Sequence, residues 1–69
     1  MKITLNNREE ILNTEKESLS ISELFELQKF SFKNLVVKIN GELIKRDNYQ
    51  KAFFKEHDKV DVIHMISGG

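Results

Sequence analysis

Cysteine, proline and tryptophan are absent from this chain, and glycine occurs only three times in 69 residues. Without cysteine there is no disulfide, no thiolate zinc site and no cysteine nucleophile. Such a chain suits a reducing compartment. No apolar run approaches the ~20 residues a membrane-spanning helix needs. Met1-Lys2-Ile3-Thr4-Leu5 alternates and soon turns polar, unlike a secretion signal. A soluble, cytoplasmic protein is therefore expected. Net charge is lacking too: eleven basic residues balance eleven acidic ones. A nucleic-acid binder ordinarily carries a basic excess to displace counterions from phosphates, so that class is disfavoured. The length allows one domain, which buries roughly 60% of its unfolded surface.

The balanced total hides an uneven distribution. Residues 1–26 carry three basic and six acidic side chains, a net of −3, so residues 27–69 carry +3. Ordinary scatter over a solvated surface accounts for this; a polarised surface facing a partner is the alternative.

The first segment, Lys2-Ile3-Thr4-Leu5, has the period-2 pattern of a half-buried strand. Asn6-Asn7 accepts the positive φ of a tight hairpin turn, and Glu9 to Asn13 returns as the second strand with Ile11 or Leu12 inward. Thr14 to Ser18 is polar and predicts a loop. Ser20-Ile21-Ser22-Glu23 is a capping box, with Leu19 and Leu24 placed as a hydrophobic staple. The helix predicted from Ile21 to about Lys29 carries Ile21, Leu24 and Phe25 on one face and Leu27 at its margin. Asn34 to Ile39 is rich in strand formers, with Leu35, Val37 and Ile39 sharing a face. Asn40-Gly41 is a strong hairpin dipeptide, and Glu42 to Lys45 is the return strand. In the mixed stretch from Arg46 to His57, Tyr49, Ala52 and Phe53 are placed to anchor a helical turn on the sheet edge. Lys59 to Met65 is a last strand, with Val60, Val62 and His64 on one side and Asp61, Ile63 and Met65 on the other. The order β-β-α-β-β-β hides its apolar sides by laying one helix across a sheet.

Chemistry concentrates at Ser67-Gly68-Gly69. Two closing glycines remove side chains from the last stretch of backbone, so it can thread a channel that a Cβ would block. The reactive group there is the α-carboxylate of Gly69. It is a poor electrophile until adenylation supplies a leaving group, after which a persulfide or thiol can attack.

The chain resembles the ThiS/MoaD family of sulfur carriers, and ThiS more closely than MoaD. The resemblance rests on Ile3-Thr4-Leu5-Asn6, on Ser20-Ile21-Ser22-Glu23-Leu24-Phe25, and on Val37-Lys38-Ile39-Asn40-Gly41-Glu42-Leu43-Ile44 followed by Arg46. It continues through Asp58-Lys59-Val60-Asp61-Val62 to Gly68-Gly69. The family often has proline where Lys45 stands, glycine at the turn occupied by His57, and a third glycine where Ser67 stands. The resemblance implies an α+β, ubiquitin-like β-grasp fold: a mixed sheet of four to five strands crossed by one helix, with the terminal strands parallel neighbours. Residues 1–66 would form this domain and residues 67–69 a flexible tail.

It also implies a protein cosubstrate with no catalytic residue of its own. A ThiF-like adenylating enzyme would use ATP and magnesium to activate Gly69. A sulfurtransferase or cysteine desulfurase system would supply a persulfide, leaving a thiocarboxylate at Gly69. That group would pass sulfur to a ThiG-like thiazole synthase in thiamine biosynthesis. Gly68 and Ser67 would thread the enzyme channel. The alternatives are a MoaD-like carrier for molybdopterin or another pathway, and a ubiquitin-like modifier conjugated through Gly69.

Ile63, Met65 and Ile66 are candidates for docking the adenylating enzyme beside the tail. Against that stands simple packing of Ile63 and Met65 under residues 46–57. His64 is expected to be a sheet residue, since no hydroxyl or thiol pairs with it. His57, His64, Asp58 and Asp61 are too scattered by turn and strand geometry to form a metal site. Phe30, Phe32, Phe53 and Phe54 exceed the needs of a small core, so some are expected at the surface.

Overall fold

The computed structural model describes residues 1–30 and 34–65. Strands β1 (Lys2–Leu5) and β2 (Arg8–Ile11) form an antiparallel hairpin. Its turn residues Asn6 and Asn7 sit at φ 52° and 66°, a left-handed pair that asparagine tolerates better than most residues. A short strand, β3 (Ser18–Ser20), runs directly into helix α1 (Ile21–Gln28). Strands β4 (Leu35–Ile39) and β5 (Glu42–Ile44) flank Asn40 and Gly41, at φ 51° and 85°. A 3-10 turn (Arg46–Asn48), strand β6 (Phe53–Lys55) and strand β7 (Lys59–His64) complete the order.

The main sheet is five-stranded, in the order β2-β1-β7-β4-β5. Strand β7 lies parallel to β1 and antiparallel to β4, as the resemblance implies for the terminal strands. Period-2 alternation aims Ile3, Leu5, Val37, Val60 and Val62 at the helix, where Ile21, Leu24 and Phe25 meet them, and all eight are buried. The architecture is the expected β-grasp: a mixed sheet crossed by a single helix among the described residues. None of those residues forms a helix long and apolar enough to cross a membrane.

The capping box closes as its spacing requires. Ser20 Oγ accepts the Glu23 amide at 3.1 Å, and Glu23 Oε1 accepts the Ser20 amide at 3.0 Å. Glu23 also binds Lys16. The Lys16 ammonium, followed by the Ser20 amide, holds the Glu23 carboxyl below its ordinary pKa. The remaining donors at the start of the helix are also taken: Ile21 N–H donates to Ala52 O at 3.1 Å and Ser22 N–H to Tyr49 O at 3.0 Å. At the other end, Lys29 turns left-handed at φ 57°, so the helix stops at Gln28.

Several expectations need correction. Thr14 to Ser18 is not wholly loop, because Ser18 opens β3. The β3 and β6 strands pair as a second, two-stranded sheet, with Leu19 opposite Phe54. Both side chains are buried, and their contact brings together two stretches too short for periodicity to detect. Tyr49 is buried and Ala52 half-buried, as an anchoring segment requires. Phe53, by contrast, is 55% exposed, and Phe54 beside it fills the core. The second strand starts at Arg8 and ends at Ile11. Leu12, just beyond, faces inward because its backbone pairs with Met1: Leu12 N–H donates to Met1 O at 2.7 Å, and the Met1 ammonium donates to Leu12 O at 2.9 Å. The last strand ends at His64, one residue early.

Candidate functional site: the base of the tail

Strand β7 leads to the tail, and it occupies the middle of the sheet. Two asparagines from the hairpin turns reinforce it. Asn6 Oδ1 accepts the Val62 amide at 2.8 Å, and Asn6 N–H donates to Val60 O at 3.0 Å. Asn40 Oδ1 accepts the Lys59 amide at 2.9 Å, and Asn40 N–H donates to Lys59 O at 2.7 Å. These side chains supply hydrogen bonds where the backbone ladder ends. A turn preference explains why asparagine is suited to these positions; the bonds to β7 become visible only with the sheet order.

Beyond β7, Met65 N–H donates to Asn34 O at 2.7 Å. Asn34 is left-handed, at φ 55°. This bond is the last described attachment of the chain before the tail. The expected site residues Ile66, Ser67, Gly68 and Gly69 lie outside the described residues, as does Phe32.

Ile63 and Met65 are exposed, at 50% and 57%. Packing beneath residues 46–57 does not cover them. The antiparallel register puts Ile63 opposite Val36 and Asp61 opposite Lys38, and the hairpin puts Lys38 opposite Leu43. Directly paired residues share a face. The face away from the helix thus carries Ile63, Val36 and Leu43 together, with Leu43 58% exposed. Leu43 was not singled out from sequence, although the two-residue Asn40-Gly41 turn dictates its pairing with Lys38.

His64 pairs with Leu35 on the helix-facing side but stands exposed at the strand's end. His57 is in the opposite turn, left-handed at φ 71°, and its amide donates to Lys2 O at 2.7 Å. Asp58 Oδ2 accepts the Lys55 amide at 2.9 Å. Among the described residues no three His, Cys, Asp or Glu side chains cluster in a way that could hold a metal.

A hollow of about 320 Å³ lies at the edge of the sheet beside the base of the tail. Asn34, Leu35, Val36, Leu43, Ile44, Lys45, Arg46 and Tyr49 line it. Burial pushes the Tyr49 phenol above its ordinary pKa, against a smaller downward pull from the Arg46 charge. The phenol is therefore a neutral wall at physiological pH.

The hollow is open to solvent, and no hydroxyl is paired with His57 or His64 among the hydrogen bonds of the described residues. The arrangement presents a firmly held strand whose end opens onto an exposed apolar face and a basic-rimmed hollow. What such a strand can do is offer the chain that follows it to another protein.

Comparison with known proteins agrees with the architecture. A crystal structure of the thiamine biosynthesis protein ThiS from Geobacter metallireducens is 27% identical, superposes with a TM-score of 0.85, and both chains are covered fully. An NMR solution structure of a thiamine biosynthesis protein from the same organism is 27% identical with a TM-score of 0.79, over all of this chain and 88% of the other. No curated protein sequence matches. The model of the ThiS family matches residues 3–69. Across nearly its whole length, then, the chain belongs to the ThiS family.

Proposed function

We propose that this protein is the sulfur carrier for assembly of the thiazole ring of thiamine, charged at the carboxylate of Gly69. The single observation that carries this reading is the family match through Gly69. The structural neighbour named for thiamine biosynthesis supports it.

The chemistry follows from the residue types. A Gly69 carboxylate oxygen attacks the α-phosphate of ATP bound with magnesium on a ThiF-like partner, and pyrophosphate leaves. Sulfur of a cysteine persulfide, made by a sulfurtransferase or cysteine desulfurase, attacks the acyl carbon and AMP leaves. A thiol then breaks the sulfur–sulfur bond, taking one sulfur into a disulfide and leaving the thiocarboxylate. Thiazole synthase accepts that sulfur. Gly68 and Ser67 keep the last backbone slim enough to reach a buried active site. Ile63, Met65 and Ile66 are the proposed docking residues, where an apolar face beside the tail aims it into the partner.

Intact mass spectrometry after incubation with ATP, magnesium, the adenylating enzyme and a persulfide source tests the proposal. The expected product carries an oxygen-to-sulfur exchange localised to Gly69. Because the chain has no cysteine, uptake of a thiol-selective alkylating label provides a second readout at the same carboxyl. An unchanged terminus with active partners would refute the proposal. Gly68→Leu should abolish adenylation while leaving the thermal melt unchanged; normal charging of that variant would overturn the threading argument.

A further inference from the structure

The hollow at the sheet edge has no part in the carboxylate chemistry, yet it lies beside the tail. Two of its lining residues, Asn34 and Leu35, are the ones that meet Met65 and His64. Any protein that receives the tail must approach this end of the sheet.

The lining is amphipathic. Leu35, Ile44 and Tyr49 supply an apolar floor, with Leu43 exposed at the side. Lys45 and Arg46 supply two adjacent exposed cations. Among the described residues the ion pairs are Lys2–Glu9 and Lys16–Glu23, and neither Lys45 nor Arg46 has a carboxylate partner. Glu42 and Asp47 neighbour them in sequence but do not line the hollow. A volume of about 320 Å³ is at the small end for a ligand pocket, better suited to one or two side chains than to a cofactor.

Both edges of the sheet carry mixed charges, with Arg8 beside Glu9 and Glu10 on β2 and with Glu42 and Asp47 near Lys45 and Arg46. Glu9 and Glu10 lie on β2, at one edge of the main sheet, and Glu23 and Glu26 lie on the helix. Lys45 and Arg46 follow β5, at the opposite edge. Within the hollow itself the two cations stand with no carboxylate among the lining residues, so an acidic group is drawn to it.

We propose that this hollow seats an acidic segment of the adenylating partner, with an apolar side chain on the Leu35–Ile44–Tyr49 floor and carboxylates against Lys45 and Arg46. The proposal rests on the carrier reading and names the contact that presents the tail. Lys45 and Arg46 act here as docking residues, remote from the reacting carboxyl.

The test is ATP–pyrophosphate exchange catalysed by a ThiF-type adenylating enzyme, with the full chain as substrate. Wild type is compared with K45E/R46E, with the charge-neutral K45Q/R46Q, and with K55E/K59E. The last pair makes the same charge change at the opposite end of β7, where Lys59 opens that strand and Lys55 closes β6. Thermal melts confirm that each variant is folded. The expected result for K45E/R46E is a KM at least about tenfold higher, with kcat within about twofold of wild type. K45Q/R46Q should fall between, and K55E/K59E should stay near wild type. The K45E/R46E effect should shrink when salt is raised to about 0.5 M. If K45E/R46E matches K55E/K59E, the hollow is not the docking contact, while the carrier reading survives. If the wild-type chain itself supports no exchange, the carrier reading falls and takes this proposal with it.

Discussion

Adjacent phenylalanines in β6 should behave very differently when truncated. Phe54 is 1% exposed and pairs with Leu19, which is also buried, whereas Phe53 is 55% exposed. Removing a fully buried phenylalanine side chain costs about 3–5 kcal/mol. A domain of this length is stable by only about 3–10 kcal/mol. Phe54→Ala should therefore remove a large share of the stability, more than half of it at the middle of both ranges. Phe54→Leu, which keeps most of the volume, should cost on the order of 1.5 kcal/mol. Phe53→Ala should cost under about 1 kcal/mol, since half of its surface is already in water. Urea titration followed by far-UV circular dichroism orders the variants. Tyr49, the chain's single tyrosine in the absence of tryptophan, gives an independent fluorescence probe. With a urea slope near 1 kcal/mol per molar, typical of small domains, the Phe54→Leu midpoint should fall by about 1.5 M. If Phe53→Ala lowers the midpoint as much as Phe54→Leu, the second sheet is not anchored through Leu19 and Phe54.

Three further outcomes follow from local geometry. His57→Gly relieves a left-handed residue and should stabilise the protein by up to about 1 kcal/mol after the flexibility of glycine in the unfolded chain is counted, a rise of roughly 4–8 °C in the thermal midpoint. Ser20→Ala removes one half of the capping box and should cost about 1 kcal/mol in a urea titration. Glu23 has its folded pKa lowered, so its favourable contribution is complete above the unfolded value near 4.5 and is lost as pH falls through the folded one. Glu23→Gln should consequently flatten the acid side of the stability–pH curve, and an NMR titration should place the wild-type carboxyl below an ordinary glutamate.

Much of this molecule could be read in advance, for identifiable reasons. Ser20 and Glu23 announce a helix start because the reciprocal bonds need those side chains at that spacing. Asn40-Gly41 announces a turn because both residues accept positive φ. Short-range patterns carry such features well. The β3–β6 sheet escaped because three residues cannot display a period, and because the choice between Phe53 and Phe54 depends on Leu19, 35 positions before its partner Phe54. Ile11 and Leu12 posed the same ambiguity, which Met1 resolves by pairing with Leu12. The exposed face and the basic hollow were legible only in part: Ile63 and Met65 were singled out, but Leu43, Lys45 and Arg46 join them through strand order. The tail Ser67-Gly68-Gly69 lies outside the described residues, and its chemistry is proposed from residue types and the family match.

The central placement of β7 has a mechanical corollary. A grip on the closing residues pulls along a strand bonded to β1 on one side and to β4 on the other. Such a load shears both ladders together rather than unzipping bonds one at a time from an edge. The force is thus shared between two neighbours, and the fold yields only when both let go.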